Sequence, residues 1–387
     1  MAYFLILLTA VFLLPQHSIG ESDSYSRNPV SSQPNESEVI LTITGDIMGS
    51  DSQLHSALNE ETASFDFLDS VSEVGAILRE SDLTIGNLET TLAGKKARYT
   101  GYPMFNTPET ILDALKEVGF DVLTTANNHA LDRGLTGLIS TIKNIKNQGF
   151  MHTGTYANRK DYLNPFIITV KGIKICIVAE TMNANGLEKL DYGPETNHIV
   201  RYIGKSNPAA DVQRCKNGGS DITMIFPHWG TEYQRYPDDF QKKAAEVYIK
   251  AGYDLIIGSH PHFPQPFEIR KVKTKDHYKN VFIAWSLGNF ISGMTGRYMD
   301  TGLILKIVLG KDNKTGKAFF KSALWTNIWL HREWEPNRKL RLKIIPVSEY
   351  LFNPTRYRTL SKDSRIRLKQ VWKECIEVPG TSVVWRF

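Results

Sequence analysis

Asp254-Leu255-Ile256-Ile257-Gly258-Ser259-His260-Pro261-His262 is the stretch from which the rest of the chain can be read. Leu255–Ile257 is apolar and β-branched, too short for a helix, and bounded by Gly258, which predicts a buried strand. The chain then turns and presents two histidines separated by one proline. Pro261 has a fixed φ and biases His260 away from the helical region, so the segment is expected to be extended. Residues two apart then project to one side, and both imidazoles can reach one point. Two imidazoles held just past a buried strand are the start of a transition-metal site.

The same unit recurs upstream. Val39–Thr44 predicts a strand that stops at Gly45-Asp46, and Leu83–Ile85 one that ends in Gly86-Asn87-Leu88-Glu89. Asp121–Thr125 predicts a third, running into Asn127-Asn128-His129. Helical patterns alternate with them: Phe67–Glu80, then Pro108–Val118 with Thr107 as its cap, then Gly137–Asn147. Strand and helix in alternation predict an α/β protein with a mostly parallel sheet, whose ligands bind at the carboxyl ends of the strands. Three successive strands that deliver metal-competent side chains at that end exceed what a lone carboxylate would mean.

Past Met151, Phe166–Val170 and Ile173–Val178 flank Lys171-Gly172 as a β-hairpin, and Met182–Ser220 predicts an irregular insert. Asp221–Pro227 is a strand delivering His228-Trp229-Gly230, followed by a helix over Asp238–Ala251. Val281–Leu287 leads into Gly288-Asn289-Phe290, and Thr301–Leu309 is a further strand. Phe319–Leu330 and Leu340–Val347 follow as strands and Ser361–Cys375 as a terminal helix, so 311–387 is expected to pack on the domain formed by 39–310.

The 387 residues are 41% hydrophobic and 22% charged, which suits a globular protein with a large core. A net charge of +5 without a long basic run gives no case for a nucleic-acid partner. Residues 1–20 are apolar over Tyr3–Leu14 and end in Ser18-Ile19-Gly20, which predicts a signal peptide cleaved after Gly20, or else an uncleaved membrane anchor. Either places the body outside the cytoplasm. Residues 21–38 are polar, rich in Ser, Asn and Pro, and predict a disordered linker. Of the three cysteines, Cys176 lies in an apolar run and is expected to be a buried core thiol; at most one disulfide can form.

Asp46, Asn87, Glu89, Asn128, His129, His228, His260 and His262 together offer carboxylate, carboxamide and imidazole, donors for a divalent Mn, Zn or Fe ion. The inventory suits one or two ions, a pair of which would activate a bridging water. Taken in order, Thr44-Gly45-Asp46-Ile47-Met48, Asn87-Leu88-Glu89, Ala126-Asn127-Asn128-His129-Ala130-Leu131-Asp132, His228-Trp229-Gly230, Gly258-Ser259-His260-Pro261-His262 and Ser286-Leu287-Gly288-Asn289-Phe290 resemble the CapA (PgsA) family over roughly Val39–Leu309. These are capsule-synthesis proteins for poly-γ-glutamate, similar in fold to calcineurin-like metallophosphoesterases.

The resemblance implies a four-layer α/β/β/α sandwich of the metallophosphoesterase type. It places Asp46 and His262 on a first metal, Asn128, His228 and His260 on a second, and Glu89 where phosphoesterases have a bridging Asp. His129 would stand beside the substrate as general acid or oxyanion stabiliser, with Asp132 capping or orienting it. Trp229 is expected to wall the site and bind substrate. Asn289 is either a turn residue or a substrate contact, and Glu232, Tyr233 and Arg235 either line the pocket or cover it. Met48 occupies the position of a phosphoesterase His, and a thioether is a poor ligand for a hard dication.

The implied partners are an acidic polymer or a phosphorylated substrate, together with membrane-associated capsule machinery. Two functions remain open: an exported metal-dependent hydrolase or transferase, and a non-catalytic assembly factor that holds polyanion.

Overall fold

A computed structural model describes residues 36–193, 198–274, 278–335, 339–376 and 384–385. The expected signal or anchor segment, and the linker as far as residue 35, lie outside them. Residues 36–38, assigned to that linker, instead begin the first strand, where they pair with Asp312–Gly310.

In chain order the strands are β1 (Glu36–Ile47), the short pair β2 (Leu58–Asn59) and β3 (Ser64–Phe65), β4 (Leu83–Leu88), β5 (Val122–Thr124) and β6 (Met151–Thr153). Then come β7 (Ile167–Val170), β8 (Ile173–Thr181), β9 (Ile222–His228), β10 (Leu255–Ile257), β11 (Phe267–Lys273) and β12 (Tyr278–Ala284). The last are β13 (Asn289–Ile291), β14 (Thr301–Asp312), β15 (Ala318–Trp334), β16 (Leu340–Pro346) and β17 (Val384–Trp385).

One sheet runs β16-β15-β14-β1-β4-β5-β6, with β13 beside β1 and β17 beside β15. The other runs β11-β12-β10-β9-β8-β7. In the first sheet β1, β4, β5 and β6 run parallel, while β14, β15 and β16 run antiparallel on the other side of β1. In the second, parallel β8, β9, β10 and β12 are flanked by antiparallel β7 and β11.

Period-two alternation makes the layers. Ile173, Ile175, Ile177 and Ala179 of β8 face Leu41 and Ile43 of β1 in the core between the sheets. Cys176 and Val178 point the other way, into a core under the helix Asp239–Ala251. On the outer face of the first sheet, Leu88, Leu123 and Ile304 pack against Phe67, Leu112 and Ile145 from the helical side. The result is the expected α/β/β/α order.

Several local expectations change. The single helix over Phe67–Glu80 is three short turns: Leu68–Val71, a 3-10 turn and Gly75–Arg79. Gly75 lowers helical propensity at the break. Thr107 caps nothing: the helix begins at Ile111, and the Thr107 hydroxyl pairs with Thr90 at 2.7 Å. The insert 182–220 contains a helix, Pro208–Asn217, with Asn207 as N-cap and Pro208 at the first position. Cys215 of that helix forms a disulfide with Cys176, so Cys176 is no free thiol. The edge strand β11, pairing with β12, had no sequence expectation.

Candidate metal centre

Asp46 lies in the last two residues of β1, Glu89 follows β4, Asn128 and His129 follow β5, His228 ends β9, and His260 and His262 follow β10. Both sheets point their carboxyl ends to the same edge, which is why residues so far apart in sequence meet. Asp46 accepts a hydrogen bond from the backbone of His260, 214 residues away, at 3.2 Å.

The extended geometry expected for His260-Pro261-His262 is not what places them. His260 has φ +95° and His262 φ +58°, both in the half of backbone space that non-glycine residues rarely occupy. Their rings nevertheless lie 6.0 Å apart, on the same site. The strained turn, rather than strand alternation, makes them converge.

Two groups of potential ligands result, each with atoms within 4.8 Å of one another: Asp46, Glu89 and His262, and Glu89, His228 and His260. Glu89 belongs to both. It is fully buried, and neither carboxylate oxygen has a hydrogen-bond partner. His228 Nε2 lies 3.5 Å from its carboxylate. Burial, with the charge of Asp46 added, pushes its pKa well above the ordinary carboxylate range. A buried, orphaned carboxylate among imidazoles is costly unless a cation sits beside it, so the donor set fits a divalent metal.

Two of the three imidazoles already have the charge that ligation needs, and metal binding would displace a proton from the third, His262. Burial holds His228 and His260 down to about 3, so both are neutral, the form that donates a lone pair to a metal. Burial also works against protonated His262, but Glu89 and Asp46 outweigh it and raise its pKa to about 9. Burial likewise opposes ionised Asp46, yet His262, His228 and Asn87 keep its pKa below the usual value.

Asn128 stands with the second group, its Oδ1 lying 2.8 Å from His228 Nε2. Asn87 does not offer its oxygen to the site: its amide donates to Asp46 at 2.8 Å, and its oxygen accepts from Thr124. His129 lines the cavity over the centre, with Nδ1 2.7 Å from Asp132, which also accepts from the backbone of Phe105. Asp132 therefore positions His129, the orienting role expected of it.

Trp229 is a correction. It is fully buried on the outer side of the second sheet, stacked on Trp285, and its Nε1 donates to the Trp285 carbonyl. Alternation along β9 sends His228 and Trp229 to opposite faces, so Trp229 supports the sheet and touches no substrate. Asn289 is also fully buried. Its Oδ1 lies 3.0 Å from His262 Nδ1, which makes it an orienting partner for that ring rather than a substrate contact. Ser259, beside His228 Nδ1 at 2.9 Å, and Phe105, edge-on to His129, were not anticipated.

A cavity of about 260 Å³ opens on the centre, lined among others by Met48, Tyr102, His129, Glu232, Tyr233 and His262. Arg235 is not among its lining residues; it stacks on Tyr298 and donates to the Glu374 carbonyl. The ensemble is a buried two-carboxylate, three-imidazole centre beneath a small, partly aromatic cavity.

The family model described as bacterial capsule synthesis protein PGA_cap matches residues 40–294, and the chain belongs to that family. Among curated relatives, the capsule biosynthesis protein CapA of Bacillus anthracis is 29% identical over 311 residues, covering 77% of this chain and 70% of that protein. The PGA biosynthesis protein CapA of Bacillus subtilis is 28% identical, over 63% of this chain and 62% of its own length. Of solved structures, the calcineurin-like phosphoesterase YfkN of Bacillus subtilis aligns at 13% identity and TM-score 0.42, over 87% of this chain and all of that one. A phosphatase from Mycoplasma pneumoniae aligns at 12% and 0.40, over 76% of this chain and 94% of its own. Likeness at this level says nothing about chemistry.

Proposed function

We propose that this chain is an exported capsule-synthesis protein that acts on poly-γ-glutamate or a similar acidic polymer through a divalent-metal, hydrolase-type centre. The observation that carries the reading is Glu89, a buried carboxylate with two orphaned oxygens shared by two ligand groups. A bound divalent ion would supply Lewis-acid polarisation and an acidified water. Asp46, Glu89, His228, His260 and His262 would hold it, with Asn128 beside them. His129, held by Asp132, is placed to give a proton to a leaving group in the cavity.

The names of the relatives, capsule and PGA biosynthesis, support an acidic polymer as substrate. Export is supported by the apolar segment 1–20 and by the Cys176–Cys215 disulfide, a bond that persists in oxidising compartments. N-terminal sequencing of the exported protein is expected to start at Glu21; an intact Met1 would mean anchoring instead.

The test pairs elemental analysis with turnover. Purified protein is expected to carry one or two equivalents of Mn, Zn or Fe and to shorten poly-γ-glutamate, while Glu89→Gln loses at least one equivalent and the activity. Unchanged metal content in Glu89→Gln would overturn the assignment of the centre. The second reading, a non-catalytic polyanion holder, is favoured by Met48, which is buried at the cavity where phosphoesterases have a His. It wins if the metal-loaded protein binds polymer but turns over neither polymer nor chromogenic phosphoesters.

A further inference from the structure

The chain beyond residue 294, past the segment that the family model matches, builds a second cavity of about 730 Å³. It lies between the loop after β13, the end of β15 and the helix Lys362–Ile376. The loop is shared: Gly293 and Met294 line the metal-centre cavity, and Thr295, Gly296 and Arg297 line this one.

The charges in the second cavity do not cancel. Arg367 grips both acids, reaching Asp300 at 2.9 Å and Glu374 at 3.0 Å, and Arg297 approaches Glu374 at 3.3 Å. Arg332 and Lys373 are left over, neither paired with a carboxylate among the described residues. Arg332 is half-buried; it donates to the Gly293 carbonyl at 3.0 Å, which ties it to the shared loop. Burial alone lowers its pKa, with no anion contributing to hold the charge. A partly desolvated guanidinium facing a cavity without a counter-ion costs the fold stability unless an anion visits it. A guanidinium from β15 and an ammonium from the helix, both lining one cavity, suit carboxylates spaced along a chain.

We propose that this cavity is a subsite for the carboxylates of an acidic polymer whose neighbouring segment occupies the metal-centre cavity across the loop, with Arg332 and Lys373 as the carboxylate-binding groups. The proposal rests on the acidic-polymer reading above. It assigns the C-terminal segment a share in substrate binding.

The test is fluorescence anisotropy of a short fluorescein-labelled poly-γ-glutamate on the full-length protein. The variants are Arg332→Gln, which keeps a donor for Gly293 but loses the charge, Lys373→Glu, and the two combined. The combined variant is expected to bind about tenfold more weakly or worse at equal metal content, a loss of about 1.4 kcal/mol. Arg332→Lys should retain most of the affinity. Lys373→Glu changes an exposed side chain, so it tests the subsite even if the combined variant misfolds. Parental affinity in Lys373→Glu and in Arg332→Gln overturns the subsite and leaves the polymer reading standing. No binding by the parent chain itself overturns both.

Discussion

Glu89 is fully buried with both carboxylate oxygens unpartnered. Its position after the second long strand was legible, because a polar residue that ends an apolar run is a local pattern. Its isolation was not, because the groups that fail to hydrogen-bond it come from other strands. In metal-free protein the buried charge destabilises the fold, so metal-free Glu89→Gln should melt at a higher temperature than the metal-free parent by calorimetry. A lower melting temperature would mean that Glu89 has a partner the geometry does not reveal. Glu180 is the second such residue, on the outer face of β8, where the Tyr248 hydroxyl donates to it at 2.9 Å. Burial raises its pKa to about 7. The unfolded chain releases that proton near 4.5, so between pH 4.5 and 7 the folded state binds more protons and stability falls as pH rises. Glu180→Gln should match the parent near pH 4.5 and exceed it by about 3 kcal/mol at pH 8, by urea denaturation. A pH-independent difference would refute the assignment.

At the scale of elements, close backbone approaches hold the ligand loops. Gly45, just before Asp46, has no room for a side chain: a Cβ there would lie 1.8 Å from the Gly288 carbonyl, which itself accepts from the Asp46 backbone. Gly45→Ala should cost roughly 2–3 kcal/mol in denaturant unfolding and weaken metal binding, since Asp46 must shift with it. Metal affinity unchanged alongside lost stability would separate the turn from the site. The strands and long helices were legible because their apolar periodicities are local. The edge strand β11 was not: its residues are mostly half-exposed and charged, so it has no apolar run to find. The helix Pro208–Asn217 had its signals, Asn207 and Pro208, but its weak apolar stripe lies in a polar stretch.

For the molecule as a whole, the disulfide is the long-range tie that the residue pattern left open. Cys176 on β8 and Cys215 on the helix outside it close a loop of 39 residues. Replacing both by Ala should lower stability by about 2–4 kcal/mol while leaving metal content intact, because the bond lies in the outer core, on the far face of the sheet from the ligands. Loss of metal in that variant would mean that the outer helical layer sets the ligand geometry.

The sequence by itself determined that strands alternate with helices, that their ends hold carboxylate, amide and imidazole, and in what order. Those are properties of neighbours within a few residues, set by side-chain periodicity and turn chemistry. Only the tertiary structure decided that Glu89 joins two ligand groups, that Asn87 and Asn289 orient rather than bind, and that Trp229 faces the wrong side to touch substrate. It also decided which cysteines pair and that Arg332 has no carboxylate partner among the described residues. Each of these depends on two sheets meeting face to face, and so on contacts between residues that no local pattern relates.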